Sequence, residues 1–361
     1  MYIKKLSLTN FRNYNKQEIE LSKGINIFYG DNAQGKTNII EAIYLSSIGK
    51  SFRAKKDIEL VNIQSQQFAT IETQFEKKDR DGKIKLEIKD KKNIYINEIK
   101  AKKISKILGN INIVLFSPDD INLFKGGPSK RRKVLDIMIS QLRPAYIYNL
   151  NLYLKTIEQR NNYLRLIKYE NKSQDLLDIW DEKLAEYSEN LYKYRSEFMD
   201  KIKERIVDIH KRITKDNEII KIKYISDFSN KKEYLEKLKN DRKNDISRGY
   251  TGRGIHRDDF IIYLNEKPLS IFGSQGQHRT VLLSLKIAEL NIIYDEINEY
   301  PILLLDDFMS ELDSKRRENL IENIENIQVI ITCTEKLNLN EKEKKIFYIE
   351  NGKVTVEWLK L

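Results

Sequence analysis

Hydrophobic and polar positions alternate over residues 2–8 and again over residues 17–21, a spacing that predicts two strands joined as a hairpin. Residues 25–29 (INIFY) form an apolar, partly β-branched run that predicts a buried strand, and from Asn38 to residue 48 the apolar positions recur at helical spacing. Three more strand-like runs follow, FATIETQF, KIKLEIKD and NIYINEI, with Asp81-Gly82 marking a hairpin turn between the first two. Together they predict an antiparallel layer, unlike the parallel core expected around residues 25–48. A short helix over 101–108 and a buried strand over 111–116 lead to Ser117-Pro118-Asp119-Asp120, where the proline stops the strand.

Residues 125–143 predict a helix with Lys130, Arg131, Arg132 and Lys133 in its first turns, where cations oppose the helix dipole. Four charges there call for a compensating anion, either phosphate or an acidic partner segment. From 144 to 215 the pattern is helical, long and polar with a break at 171–173, which predicts an antiparallel helical pair. A strand over 219–225 and a charged helix over 231–244 close this segment. Downstream come a strongly periodic helix over 280–293, an apolar strand over 302–305 and a strand over 328–332.

The predicted strand at 25–29 and the helix after it are joined by G-x-x-x-x-G-K-T, formed by Gly30, Asp31, Asn32, Ala33, Gln34, Gly35, Lys36 and Thr37, with Asn38 next. Two glycines let successive N–H groups turn inward on an anion, and the helix adds its positive end. Lys36 is placed to reach the β- and γ-phosphates of ATP, and Thr37 to hold Mg²⁺. The 302–305 strand ends in Asp306 and Asp307; it is expected parallel beside the 25–29 strand, with Asp306 serving Mg²⁺ through water and Asp307 the attacking water. Ser310-Glu311-Leu312-Asp313 follows. A second anion cradle, Ser274-Gln275-Gly276-Gln277, precedes the 280–293 helix. One nucleotide seldom needs two cradles. Arg12, in Asn10-Phe11-Arg12-Asn13-Tyr14, either contacts the nucleotide or packs a turn, and Arg53, in Gly49-Lys50-Ser51-Phe52-Arg53, carries exposed charge whose role spacing alone leaves open.

Lys+Arg 65 against Asp+Glu 54 leaves a net charge of +11 over 361 residues, which favours a polyanionic partner such as nucleic acid or an anionic membrane. One cysteine, Cys333, excludes an internal disulfide, and His210, His256 and His278 lack zinc-site spacing. No apolar run is long enough to span a bilayer and the N-terminus has no signal-peptide core, so a soluble, cytoplasmic protein is expected.

The phosphate loop, the S-x-G-Q segment before a helix, the strand ending Asp-Asp and S-E-L-D resemble the SMC-like ATP-binding-cassette ATPases, and among them the RecF family of bacterial recombination mediators. N-F-R-N-Y, G-K-S-F-R, S-P-D-D…K-G-G-P…R-R…L-D and H-R-D-D occur in the same order over essentially the whole chain. The resemblance implies an α/β ABC-type P-loop ATPase head, a mixed parallel core plus an antiparallel layer built from residues 1–117 and 251–361, with a mainly helical lobe inserted at 118–250. It implies an ATP-dependent homodimer in which Ser274, Gly276 and Gln277 of one copy cover the γ-phosphate held by Lys36 of the other. Asp313 would lie at the seam and Thr332 or Thr334 at a switch position. It implies a weak, DNA-stimulated ATPase that closes on double-stranded DNA at gapped or single-strand junctions through Arg53, Lys130, Arg131 and Arg132. A RecR-type mediator partner, recombinase loading and a place at the nucleoid follow from the same likeness. Asp307 stands where transporter cassettes carry Glu, no lid-loop Gln is found near Pro118–Asp120, and Ile255 replaces the proline expected before H-R-D-D. A transporter ATPase subunit and a non-catalytic scaffold that uses ATP as a structural ligand are the alternatives.

Overall fold

Alternation in the first twenty residues becomes an antiparallel pair, β1 (Tyr2–Phe11) and β2 (Tyr14–Glu20), with Lys5 opposite Glu20. The apolar run that follows is β3 (Ile25–Tyr29), and the helix after the phosphate loop is α1 (Lys36–Ile48). Next come β4 (Ala69–Glu76), β5 (Asp81–Ile88), β6 (Lys92–Ile96), β7 (Ile99–Lys100) and β8 (Ile113–Phe116). The predicted 101–108 helix reduces to one 3-10 turn, Ile104–Ile107. These residues belong to a computed structural model that describes residues 1–65, 67–215, 217–311, 317, 320, 324, 326–336 and 344–357.

The antiparallel layer runs β2-β1-β4-β5-β6-β7. Its β4–β5 turn lies earlier than the sequence suggests: the Lys77 N–H donates to the Arg80 carbonyl at 2.8 Å, and Asp81 already pairs with Glu76. Gly82 sits inside β5 opposite Phe75, where a Cβ would come 2.2 Å from the phenyl ring, so glycine answers to packing there and not to a turn.

Along the middle of the chain lie α2 (Pro128–Leu142), α3 (Pro144–Glu170), α4 (Leu177–Thr214), β9 (Ile220–Ile225), α5 (Lys231–Asn240), α6 (Arg242–Arg248), β10 (Asp259–Leu264), β11 (Lys267–Pro268) and α7 (Leu269–Phe272). Asn171, with φ 54°, ends α3 in the left-handed conformation, as the break in the pattern predicts. The charged 231–244 helix divides at Asp241 into α5 and α6. The chain ends with α8 (Gln275–Ile297), β12 (Ile302–Asp306), β13 (Val329–Cys333), β14 (Lys344–Glu350) and β15 (Lys353–Glu357).

Two compact units result, one from Met1–Ile121, Arg212–Thr214 and Arg279–Leu361, the other from Asn122–Lys211 and Lys215–His278. The return to the first unit therefore comes at 279 and not at 251, because β10 hydrogen-bonds to β9 in register from Asp259 with Ile225 to Leu264 with Ile220.

In the first unit the second sheet is ordered β15-β14-β3-β13-β12-β8, parallel except for β15. β13 lies between the phosphate-loop strand and the Asp-Asp strand, which the sequence pattern places side by side. α1 lies between the two sheets: Ser46 Oγ meets Thr73 Oγ1 of β4 at 2.7 Å, and Ser47 Oγ donates to the Ile111 carbonyl at 2.7 Å.

Buried ion pairs run through the second unit. Arg160 binds Asp181 and Asp245, each at 2.7 Å, while Arg195 binds Asp136 and Asp258, each at 2.8 Å, and the Ile255 carbonyl at 2.7 Å. Removing one member of such a pair strands its partner out of water. No described helix is long and apolar enough to cross a membrane.

Candidate nucleotide site

The phosphate loop leaves the C-terminal end of β3, the edge at which parallel sheets collect ligands. Gly30 has φ 152° and a Cβ there would lie 2.3 Å from the Ile349 carbonyl oxygen; Gly35 has φ 113° and its Cβ would lie 2.6 Å from Asn13 Nδ2. The loop is braced from outside by the β1–β2 turn. Asn13 Nδ2 donates to the Gln34 carbonyl at 2.8 Å, Tyr14 to the Gly35 carbonyl at 3.0 Å, and Asn38 Nδ2 to Asn13 Oδ1 at 2.8 Å. The turn after β14 adds a bond from the Asn351 N–H to Gln34 Oε1 at 2.6 Å. Lys36 is buried, and its ammonium donates to the carbonyls of Gly30 at 2.6 Å and Asp31 at 3.0 Å. An ammonium has three donors, so this one is held over the cradle with capacity for an anion. Asp31, Asn32 and Ala33 form the exposed crest, Ala33 at φ 65°.

At the neighbouring strand ends, Thr332 Oγ1 donates to Asp306 Oδ1 at 2.9 Å and accepts the Asp307 N–H at 3.0 Å. Burial pushes the Asp306 carboxyl above the usual carboxylate range against hydrogen bonds from Thr332 and Thr37, and the neighbouring Asp307 charge adds to the rise. Asp307 stands at φ 49°, a left-handed conformation that turns its side chain out of the β12 alternation. Thr37 and Asp306 thus touch, which fits a hard divalent cation taking one hydroxyl and one carboxylate from protein and the remainder from phosphate and water. Among the described residues no cluster of three or more His, Cys, Asp or Glu side chains is placed to hold a metal ion.

A cleft of about 860 Å³ opens beside the loop, lined by Arg12, Asn13, Asn38, Arg53, Asn62 and Asn351 among others. Both arginines are tied to Glu41, a fully buried carboxylate of α1. Arg12 grips it with Nε and Nη2, each at 2.9 Å, and Arg53 Nη2 reaches it at 2.8 Å and Asn38 Oδ1 at 2.6 Å. Burial would raise the Glu41 pKa, but hydrogen bonds from Arg12, Ser51 and Arg53 outweigh it and hold the carboxyl below its ordinary value. Arg12 therefore packs its turn and lines the cleft at once. Arg53, expected as a DNA contact, lies beside the phosphate loop with its side chain 36% exposed. Glu41 is missed by the sequence motifs; its signal is a lone acid on an apolar helix, which needs a cation if buried.

The Ser274–Gln277 segment, in the second unit, forms a reciprocal cap on α8. The Gln277 N–H donates to Ser274 Oγ at 3.1 Å and the Ser274 N–H to Gln277 Oε1 at 2.9 Å, while Gln277 Nε2 reaches Glu218 at 2.8 Å. Ser274 is exposed and Gly276 is the second residue of α8. Asp313 lies outside the described residues, as do the side chains of Ser310 and Glu311.

Of the two compensating anions expected for the basic cluster on α2, phosphate or an acidic segment, the fold supplies the second. Arg131 makes a two-pronged pair with Asp259 at 2.7 and 2.9 Å and donates to the Gly126 carbonyl at 2.7 Å; Arg132 donates to the Asp258 carbonyl at 2.8 Å. The compensating anion is the H-R-D-D segment of the same unit, so these two arginines serve the fold and only Lys130 of the expected contacts there stands exposed.

Residues 2–355 match the family profile described as the RecF/RecN/SMC N terminal domain. A DNA replication and repair protein RecF of Acetivibrio thermocellus is 47% identical over 349 residues, covering 93% of this chain and 94% of its own length. One from Clostridium botulinum is 45% identical over 363 residues, covering 98% and 99%. The solved structure of the recombination mediator protein RecF-ATP in the RecFOR pathway superposes with a TM-score of 0.93 at 38% identity, covering 99% of this chain and 98% of that one. The Smc head bound to the C-winged helix domain of ScpA shares the fold alone, with a TM-score of 0.60 at 18% identity over 100% of this chain and 98% of that one.

Proposed function

We propose, for a chain that belongs to the RecF/RecN/SMC N-terminal domain family and within it to the RecF proteins of DNA replication and repair, an ATP-gated clamp on DNA. The single observation that carries this is the convergence of Lys36, Thr37, Asp306 and Thr332 at one edge of the parallel sheet. The cradle would take ATP, and Thr37 and Asp306 would hold Mg²⁺, which would supply neutralisation of charge on the phosphates. Asp307 positions the attacking water; one methylene shorter than the Glu of transporter cassettes, it supports slow turnover, a timer for release. Ser274 and Gly276 of a second copy close over the γ-phosphate, so ATP pairs two copies head to tail, with Asp313 at the seam.

Closure holds duplex DNA beside a single-stranded gap, where a RecR-type mediator joins and a recombinase is loaded. With Arg53, Arg131 and Arg132 engaged elsewhere, the exposed lysines Lys50, Lys55, Lys56, Lys91, Lys102 and Lys106 of the first unit are the better phosphate contacts, with Lys130 of the second. They come from three segments packed together: Lys92 donates to the Gly49 carbonyl at 2.9 Å and pairs with Asp57 at 2.9 Å, and a Cβ on Gly49 would lie 2.6 Å from Ile104.

The test is molecular mass in solution with ATP, ADP and no nucleotide, repeated with gapped duplex, alongside phosphate release with and without DNA. A dimer that forms only with ATP, and hydrolysis that rises with DNA, are expected. One copy under every condition would overturn the clamp, and dimerisation without phosphate release would leave a scaffold. Replacing Lys102 and Lys106 with Gln should lower the slope of log affinity against log salt by roughly 0.9 for each phosphate that these lysines neutralise.

A further inference from the structure

We propose that Glu41 is a positioning residue that sets Arg12 and Arg53 as a guanidinium pair facing the cleft, so that the site binds a nucleoside triphosphate in preference to a diphosphate. The inference rests on the nucleotide reading above and assigns the group within that site that makes the distinction.

The carboxylate is fully buried and its acceptor capacity is filled. Oε1 takes Arg12 Nη2 at 2.9 Å and Ser51 Oγ at 2.5 Å; Oε2 takes Arg12 Nε at 2.9 Å and Arg53 Nη2 at 2.8 Å. Ser51 in turn accepts the N–H groups of Arg53 at 2.9 Å and Ala54 at 2.7 Å, so the carboxylate also fixes the backbone that carries Arg53. Arg12 is tied on the far side to the same loop, its Nη1 donating to the Glu59 carbonyl at 2.7 Å and its N–H to the Leu60 carbonyl at 2.9 Å. The β1–β2 turn and the 51–60 loop therefore meet through one acid.

Arg12 and Arg53 line the cleft together with Glu59, and the guanidinium N–H donors not spent on Glu41, Asn38 and the Glu59 carbonyl are available in it. Arg53 also contacts Asn38, the residue after Thr37, and its charge is felt at Asp306, which places it at the phosphate end of the site. The added charge of a terminal phosphate is what such a pair rewards.

The experiment measures affinity for ATPγS and for ADP in Glu41→Gln, Arg53→Ala, the double variant and Glu41→Asp. Gln keeps the size of Glu but presents an amide donor to a guanidinium and carries no charge. A loss of about 10-fold or more in ATPγS affinity is expected for E41Q and for R53A, the scale of one charge-assisted hydrogen bond, with ADP affinity nearly unchanged. The double variant should lose clearly less than the sum of the two singles, because both act through Arg53 and only the hold on Arg12 remains to be lost, and E41D should recover part of the preference. Equal losses for both nucleotides in E41Q, or a double variant that shows the sum of the two singles, would overturn the proposal. Should E41Q fail to fold, Ser51→Ala breaks only the link from Glu41 to the loop and carries the same, smaller expectation. Wild-type protein that binds neither nucleotide would instead overturn the nucleotide reading itself.

Discussion

Thr332→Val tests whether one hydroxyl organises the acidic end of the site. The substitution keeps the shape of a fully buried side chain and deletes the oxygen that donates to Asp306 at 2.9 Å and accepts from Asp307 at 3.0 Å. A hydrogen bond to a buried carboxylate contributes about 1.5–3 kcal/mol and a neutral one about 0.5–1.5, so the expected loss of stability is about 2–4 kcal/mol. For a chain of 361 residues that is a drop of roughly 3–5 °C in Tm. The loss should depend on pH with a definite sign. Asp306 is already raised above its unfolded value by burial, so the stability linked to it is fully present below the unfolded pKa and is lost as pH rises through the folded one. Deleting Thr332 raises Asp306 further, so the gap between variant and wild type should be wider at pH 8 than at pH 5. Thermal melts and urea titrations at both pH values read this directly, and Thr332→Ser, which retains the hydroxyl, should restore most of the difference. A valine variant that melts with wild type, or a serine variant as damaged as the valine one, would refute the bridging role. ATP turnover should fall in the valine variant, because the Asp307 backbone at φ 49° loses the acceptor that holds it.

Three further outcomes follow from the same geometry. Gly35→Ala places a Cβ 2.6 Å from Asn13 Nδ2 at φ 113°; calorimetric titration should show ATP affinity reduced at least about 10-fold while circular dichroism is unchanged. Arg131→Met breaks the pair with Asp259, whose side chains are 12% and 15% exposed, and should destabilise the second unit by about 2–4 kcal/mol in denaturant titration, leaving the salt dependence of DNA binding untouched. A fall of about one in that salt slope would return Arg131 to the DNA contacts. His256 accepts from Tyr153 on Nδ1 at 2.7 Å and donates to the Thr251 carbonyl from Nε2 at 3.2 Å, and burial lowers its pKa to about 4. A depressed histidine contributes stability above its unfolded pKa that is lost as pH falls through the folded one, so the second unit should lose up to about 3 kcal/mol between pH 6.5 and 4, and His256→Gln should flatten that slope.

Sequence by itself determined what depends on neighbours along the chain. The phosphate loop was legible because its glycines lie between an apolar run and a helical one, and the Asp306-Asp307 strand because its apolar residues end in two acids. The helical pair and its break at 171–173 followed from periodicity. Four short strands, β10, β11, β14 and β15, went unread, although Asn351-Gly352 is a hairpin turn signal between the last two. Tertiary structure alone decided the partners. β13 enters between β3 and β12 from a segment distant in the chain, so the order of parallel strands is not written in any one of them. The basic start of α2 is answered by Asp259, 128 residues away, and Arg53 is drawn to the cleft by a glutamate on another element. Periodicity and turn chemistry act over a few bonds, whereas the cost of burying a charge is settled only when the fold has chosen what lies against it.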